Sequence, residues 1–435
     1  MQQSGAGGDG GSAPSRRRWM RRGLMLPMVV GLAVRLALLW CLPVLPAWDG
    51  TVYAHAADRM AEGEGYTLYA LDPLASHEPT AFYPVGLPAL LVPLRWLGAG
   101  RSLDPVVQSL FSVALVPVVG LLGRRARGAR VGRIAAWIAA LWPGAIFFSL
   151  SWMTEPLFTL LVACASLAVV MQRRAHRARG VLLAGIALGL GAYLRPVALP
   201  ILVLLAGGAG LVASRTWSTR LREGARLAGI GLLAAAAVVA PWSILSSVRL
   251  GGPVLVSTNG GANLLIGTVG EGTFASIPDS IDCHERDELA ADRCRTLRAL
   301  GRIAGAPHDA AARGVLKLVH TFGHESAPAQ MWASSLRTSD PAIRRSARLT
   351  SLAVTRLSWA VLLVAAVVGA ASLCRRPRFG VLHAALAAPV VGIALTHAVM
   401  LSGDRYHAPA LATMAVLAAL AIGSWRASAE GETGT

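Results

Sequence analysis

The residues with the most chemistry in reach stand where apolar runs end. The first long apolar run closes on Trp48-Asp49-Gly50-Thr51-Val52-Tyr53. A carboxylate at that point caps a helix, or serves as a general base or metal ligand at a water–lipid boundary, where low dielectric raises its basicity. Glu155 occupies the polar knuckle Ser151-Trp152-Met153-Thr154-Glu155-Pro156, and Arg195 the knuckle Tyr193-Leu194-Arg195-Pro196. Near the C-terminus stands Asp404-Arg405-Tyr406-His407-Ala408-Pro409. Arginines so placed either hold an anion or carry their charge to the membrane surface on an apolar stem.

What must position these groups is apolar. Of 435 residues, 54% are hydrophobic and only 15% charged, against about 25% charged in soluble domains. Mean hydropathy is +0.54. This composition excludes an ordinary soluble enzyme and a disordered chain; it is that of an all-α polytopic membrane protein. With a window of roughly 20 apolar residues per ~30 Å of hydrocarbon, about ten transmembrane helices are predicted. They cover 23–43, 105–122, 133–151, 154–171, 180–194, 196–213, 227–248, 351–373, 380–401 and 408–424.

The net charge of +18 comes almost wholly from arginine, Lys317 being the single lysine. The arginines sit in alternate short loops: 16–22; Arg124, Arg125, Arg127, Arg130 and Arg133; Arg173, Arg174, Arg177 and Arg179; Arg215, Arg220, Arg222 and Arg226; Arg375, Arg376 and Arg378. Short arginine-rich loops stay cytoplasmic, so the basic balance reports topology and not nucleic acid. The expected organisation is a disordered basic cytoplasmic tail, 1–22, and a transmembrane module, 23–248. An extracytoplasmic region, 249–350, C-terminal spans, 351–424, and a second cytoplasmic tail, 425–435, follow. Both termini are then inside a bacterial plasma membrane.

The first outer loop, 44–104, lies inside the module and carries most of its acids. Residues 54–65 read as a short amphipathic helix closed by glycine, and a second short apolar helix follows Pro84-Val85-Gly86-Leu87-Pro88. Two interfacial helices would form a lid on the membrane surface.

The order of these motifs resembles the GT-C glycosyltransferases. Within them it is most similar to the glycosyltransferase 39/83-like branch of protein O-mannosyltransferases and aminoarabinose transferases. The resemblance rests on Asp49 followed by Tyr53, the Gly63-Glu64-Gly65-Tyr66 turn, and Tyr83-Pro84-Val85-Gly86. It continues through Glu155, Leu194-Arg195-Pro196, Thr258-Asn259-Gly260-Gly261-Ala262-Asn263, and Arg405-Tyr406, covering roughly 24–424. One departure stands out: many relatives place a second acid directly after the first, and here Gly50 follows Asp49. That shifts interest to Glu155 or Glu78 as the second acid.

The resemblance implies an extracytoplasmic active site that passes a sugar, hexosyl or pentosyl, from a polyprenyl-phosphate donor to an envelope glycan, lipid or protein acceptor, with inversion. It implies Asp49 and Glu155 as catalytic residues, which could share a divalent metal ion. It implies Tyr53, Glu78, Tyr83, Arg195, Asn263, Arg405, Tyr406 and His407 as substrate-binding residues. Membrane lipids surround the site, and nucleic acid is no partner.

Smaller signals stay open. Cys283 and Cys294 share an outer loop where a disulfide is permitted. His320, His324 and Glu325 have helical spacing but not the order of a zinc helix, and read as solvated loop residues. A transporter would show repeated halves and mid-membrane polar groups. No repeat is evident, and ionisable residues inside predicted spans are few, Arg35, His383 and His397 among them. A polysaccharide polymerase or ligase would share the multi-span layout with outer loops, and so would a non-catalytic membrane scaffold.

Overall fold

The computed structural model describes residues 13–71, 76–212, 216–274, 276–375 and 380–432. Asp72, Arg215, Arg376 and Arg378 lie outside the described residues. Every predicted apolar segment is helical. Helix α1 (Ala13–Cys41) begins within the segment expected to be a disordered tail, because arginine propagates a helix as well as leucine does. The first outer loop holds α2 (Asp49–Ala61), the short α3 (Leu68–Leu71) and α4 (Gly86–Trp96).

The next two predicted spans form one helical hairpin, α5 (Asp104–Leu141), which reverses at Arg127–Gly128. Gly128 takes φ +86°, a conformation open to glycine at no steric cost. The two arms then pack backbone to backbone: a Cβ on Gly132 would lie 2.6 Å from the Gly120 carbonyl. The third predicted span, 133–151, is interrupted at Trp142, whose extended backbone and following proline start the short α6 (Pro143–Ser149).

Helices α7 (Glu155–Val170), α8 (Arg177–Ala192), α9 (Ala198–Leu211) and α10 (Trp217–Leu250) complete the first half. The outer region carries α11 (Gly260–Ile266), α12 (Glu288–Gly305), α13 (Pro307–Phe322) and α14 (Ala327–Ser335). Then come α15 (Pro341–Cys374), α16 (Val381–Val399), a 3-10 turn (Asp404–Ala410) and α17 (Leu411–Glu432). The last helix therefore runs into the segment expected as a C-terminal tail.

Among the described residues, six helical segments are long and apolar enough to cross a membrane, and two shorter apolar helices accompany them, making this a multi-pass membrane protein. The packing seams are α1 with α5, α5 with α7 and α17, α8 and α9 with α10, and α15 with α17.

Small residues let these backbones approach, as membrane bundles require where lipid is as apolar as the core. Arg35 in α1 is fully buried and donates to Gly31 O, Ala140 O and Ser112 Oγ at 2.8–2.9 Å, tying α1 to both arms of the α5 hairpin. That span-buried charge is thus accounted for by packing. Outside the bundle, Arg95 of α4 makes a two-point ion pair with buried Asp104 and a third bond to Asp58 of α2. Trp152 Nε1 also donates to Asp104, at 2.8 Å. This network fastens the first outer loop to the bundle.

Tight α15–α17 packing makes a paired test. A Cβ on Gly369 would collide with the Leu417 carbonyl oxygen, whereas one on Gly229 in α10 meets open space. Gly369→Ala is expected to lower the thermal midpoint of the detergent-solubilised protein, by an overpacking cost of about 1–3 kcal/mol. Gly229→Ala should be neutral or stabilising by up to about 1 kcal/mol. Equal midpoints for the two variants would contradict this seam.

Candidate active site

The site begins at a strained bend. Trp48 has φ +55°, a region costly to a bulky residue, and its indole is held by Ser334 Oγ at 2.8 Å. The bend launches α2 with Asp49 as its first residue. Gly50 then presses against the knuckle after α6: a Cβ there would lie 2.9 Å from both Ser151 O and Trp152 Cβ. This explains why no second acid follows Asp49, since a side chain at 50 has no room. Trp152, the residue it touches, also has a positive φ, +52°.

A second close approach places the Arg195 knuckle. Gly86 N donates to Tyr193 O at 2.8 Å, and a Cβ on Gly86 would sit 2.5 Å from that oxygen. The tyrosine–proline–glycine stretch thereby docks against the turn carrying Arg195. Arg195 in turn bonds Glu155 Oε1 at 2.5 Å and Thr154 Oγ1 at 2.9 Å. Glu155 opens α7, where the helix dipole favours a carboxylate. It is 1% exposed and lies behind Arg195, not in the cavity.

Asp49, Tyr53, Tyr83, Arg195, Asn263, Arg405 and Tyr406 line one cavity of about 290 Å³. That is near the lower end of the ~300–1,000 Å³ range of small-molecule sites. Within it Arg405 donates to Asp49 Oδ2 at 2.7 Å and to Tyr406 Oη at 3.3 Å. The guanidinium carbons of Arg405 and Arg195 lie 5.0 and 5.4 Å from the Tyr406 ring centroid, so one ring steadies two cations. His397 of α16 stacks on the same ring at 4.2 Å. The sequence marks His397 only as an ionisable residue inside a predicted span and gives no sign of this contact.

Burial, reinforced by Asp49, pushes the Tyr53 and Tyr83 phenols above their usual range, so both remain hydrogen-bond donors at working pH. The far wall is apolar, with Leu255, Val256, Phe274, Met400 and Leu401.

Two predicted residues stand elsewhere. Glu78 is exposed, and its backbone oxygen accepts from Leu68 N at 2.9 Å. It sits on the outer surface of a loop whose acids serve mainly to pair with Arg95, Arg59 and Arg101. His407 faces away from the cavity and into the bundle, because the 3-10 turn that presents Arg405 outward carries it to the opposite side. Its Nδ1 bonds Thr321 O, and Nε2 faces Glu325.

Nor do His320, His324 and Glu325 converge: His320 meets Glu271, His324 approaches Asp404, and Glu325 is buried. The reading of Glu325 as a solvated loop residue is thus corrected. Asp404 caps α14 through the Ser326 and Ala327 amides. No group of three or more His, Cys, Asp or Glu side chains gathers among the described residues. Asp49 and Glu155 each accept from a different arginine.

The roof is clamped by Glu288, an acid that no motif in the sequence singles out. It accepts from Thr80 Oγ1, the Ala81 amide and Thr258 Oγ1, joining the first outer loop to the loop before α11. Cys283 and Cys294 form a disulfide that closes the loop containing Glu288.

No family model and no curated protein sequence matches the chain. Solved structures do match. The apo oligosaccharyltransferase of Archaeoglobus fulgidus superposes with a TM-score of 0.56 at 14% identity, over 97% of this chain and 53% of that one. The same archaeal enzyme, AglB, in complex with an inhibitory peptide and a dolichol-phosphate gives 0.52 at 15% identity, over 97% and 52%.

The chain has the GT-C fold. It spans about half the length of the oligosaccharyltransferase it matches. Apo ArnT from Cupriavidus metallidurans matches with a TM-score of 0.45 at 16% identity, over 94% of this chain and 78% of that one.

The floor of the cavity depends on Lys317 of α13, which donates to Val399 O at 2.7 Å at the end of α16, just before Met400 and Leu401. Burial, then Arg313, lowers its pKa to about 8. Between about 8 and the unfolded value near 10.5 the unfolded chain binds more protons. The stability contribution is therefore full above 10.5 and lost as pH falls through 8. The thermal midpoint of the wild type relative to Lys317→Met is expected to rise from pH 7.5 to 10; a flat difference would contradict the burial of this amine.

Proposed function

We propose that this protein is a membrane glycosyltransferase that passes a sugar from a polyprenyl-phosphate donor to an extracytoplasmic acceptor. The observation that carries the reading is the paired guanidinium site on Tyr406, sharing one cavity with Asp49. Two arginines suit a phosphate whose negative charge grows as the glycosidic bond breaks. The apolar wall of Leu255, Phe274 and Met400 suits the first units of a prenyl chain. The dolichol-phosphate held by the archaeal fold neighbour supports the same class of donor.

In the proposed reaction an acceptor hydroxyl or amine attacks the anomeric carbon as the bond to the phosphate oxygen breaks. Asp49 receives the proton of the attacking group, and polyprenyl phosphate leaves against Arg195 and Arg405. Attack opposite the leaving phosphate inverts the anomeric centre. Arrival of the donor phosphate at Arg405 would loosen its ion pair with Asp49, freeing the carboxylate when a substrate is present. Tyr53, Tyr83 and Asn263 are placed to donate hydrogen bonds to sugar hydroxyls.

Glu155 acts as the fixed partner of Arg195 rather than as a second catalytic acid. Asp49 and Glu155 accept from different guanidinium groups and Glu155 does not line the cavity, so the two are not arranged to share one ion, and every step is carried by the chain's own residues. The alternation of arginine-rich loops supports a cavity on the outer face of a bacterial plasma membrane with both termini inside. The acceptor is an envelope glycan, lipid or protein.

The test offers polyprenyl-phosphate sugars to the purified protein. Asp49→Asn is expected to cut turnover by about 10²–10⁴-fold while undecaprenyl phosphate binding persists. Arg405→Ala should weaken that binding by roughly 10- to 100-fold, the worth of a charged hydrogen bond. Wild-type turnover by Asp49→Asn would remove this carboxylate from the reaction.

A further inference from the structure

The turn carrying Arg405 is gripped from behind by a buried polar pair that the transfer chemistry does not use. Glu325, in the linker between α13 and α14, is 2% exposed, and His407 is 1% exposed. Glu325 Oε1 lies 3.3 Å from His407 Nε2 and accepts from Trp142 Nε1 at 3.2 Å. Space for the carboxylate exists because residue 144 is glycine: a Cβ there would collide with Oε1.

The hydrogen-bond pattern fixes the protons. His407 Nδ1 faces the carbonyl oxygen of Thr321 at 2.6 Å, and a carbonyl only accepts, so Nδ1 carries a proton. Nε2 meets a carboxyl oxygen, so one proton must lie between them, on the imidazole or on the carboxyl group. Either way the pair is neutral overall and joined by a hydrogen bond in a low-dielectric interior, where such a bond is strong and its loss costly.

Around this pair the linker and the turn are laced in both directions. Asp404 reaches from the turn to the Ser326 and Ala327 amides of the linker. Glu325 reaches from the linker to the turn. His407 also stacks on Trp359 at 3.7 Å, and Trp359 Nε1 donates to Phe322 O at 2.7 Å. Arg405 is bracketed by these two clamps, one residue after Asp404 and two before His407. Its own side chain points the other way, to Asp49.

We infer that Glu325 is a positioning residue for Arg405, acting through His407. The inference rests on the proposed function for its catalytic meaning, though not for its structural content. Glu325 also lines a void of about 20 Å³ together with Ser112, Glu155 and Thr159. That is room for about one water molecule, and among the described residues Glu325 Oε2 has no hydrogen-bond partner. The carboxylate that fixes Arg195 and the carboxylate that positions Arg405 thus border one small, mostly apolar void.

The experiment uses the full chain in detergent, with undecaprenyl phosphate as the probe and hydrogen exchange of the 400–410 segment as a readout independent of it. Glu325→Ala is expected to speed exchange in 400–410 and to weaken undecaprenyl phosphate binding on the order of 10- to 100-fold. Glu325→Gln should fall between it and wild type, because an amide satisfies only one of His407 and Trp142. In an Arg405→Ala background, Glu325→Ala should add nothing further to the binding loss, an outcome that general destabilisation would not produce.

Additive losses, or wild-type exchange in Glu325→Ala, would overturn the inference. If wild type fails to bind the probe, the proposed function fails, and the exchange result alone decides the positioning role.

Discussion

The ion pair between Asp49 and Arg405 joins residues 356 positions apart at 2.7 Å, and the structure is arranged around the difficulty of holding both at a membrane boundary. A carboxylate and a guanidinium facing one another would neutralise each other in a sealed core. Here they face a cavity, and a second guanidinium shares the same aromatic ring. Each guanidinium is matched by a carboxylate, Arg405 by Asp49 and Arg195 by Glu155 behind it, so the site offers two oriented cations rather than a net positive charge. A ligand with a phosphate meets two cations already oriented, so little ordering is left to do on binding.

That orientation depends on close backbone approaches rather than on large contacts. Gly50 lets α2 begin against the Ser151–Trp152 knuckle, and Gly86 lets α4 begin against the Tyr193 carbonyl. Strain gathers at the same place, in the positive φ of Trp48 and Trp152. Rigid clamps surround it: Arg95 with Asp58 and Asp104 on the first outer loop, Glu288 across the roof, and Glu325 with His407 beneath. Buried ion pairs of this kind add little net stability; their value here is geometric.

The sequence makes much of the bundle legible because a span is a local property of about 20 residues. Each of the ten apolar segments is helical, and the hairpin at 127–128 follows from its arginines and glycine. Asp49, Arg195 and Arg405 were legible for a related reason: each ends an apolar run, so each had to emerge near the same boundary. What failed was phase and distance. His407 is two residues from Arg405, and only the 3-10 geometry shows that it points inward.

Glu325 looked like loop surface until Trp142 and Gly144, some 180 positions earlier, enclosed it. Glu78 belonged to an acidic loop, and composition gave no sign of which acids turn outward. The glycine at 50 was visible as a departure, but its cause lies in a contact about 100 residues away.

The central claim is that two guanidinium groups and Asp49 form one phosphate-directed site. The most direct measurement is an experimental structure of the protein with undecaprenyl phosphate bound. The account places the phosphate within hydrogen-bond distance of both Arg195 and Arg405, with its prenyl chain leaving past Leu255 and Met400 and the Asp49–Arg405 pair loosened. A phosphate seated elsewhere, with that pair intact, would contradict it.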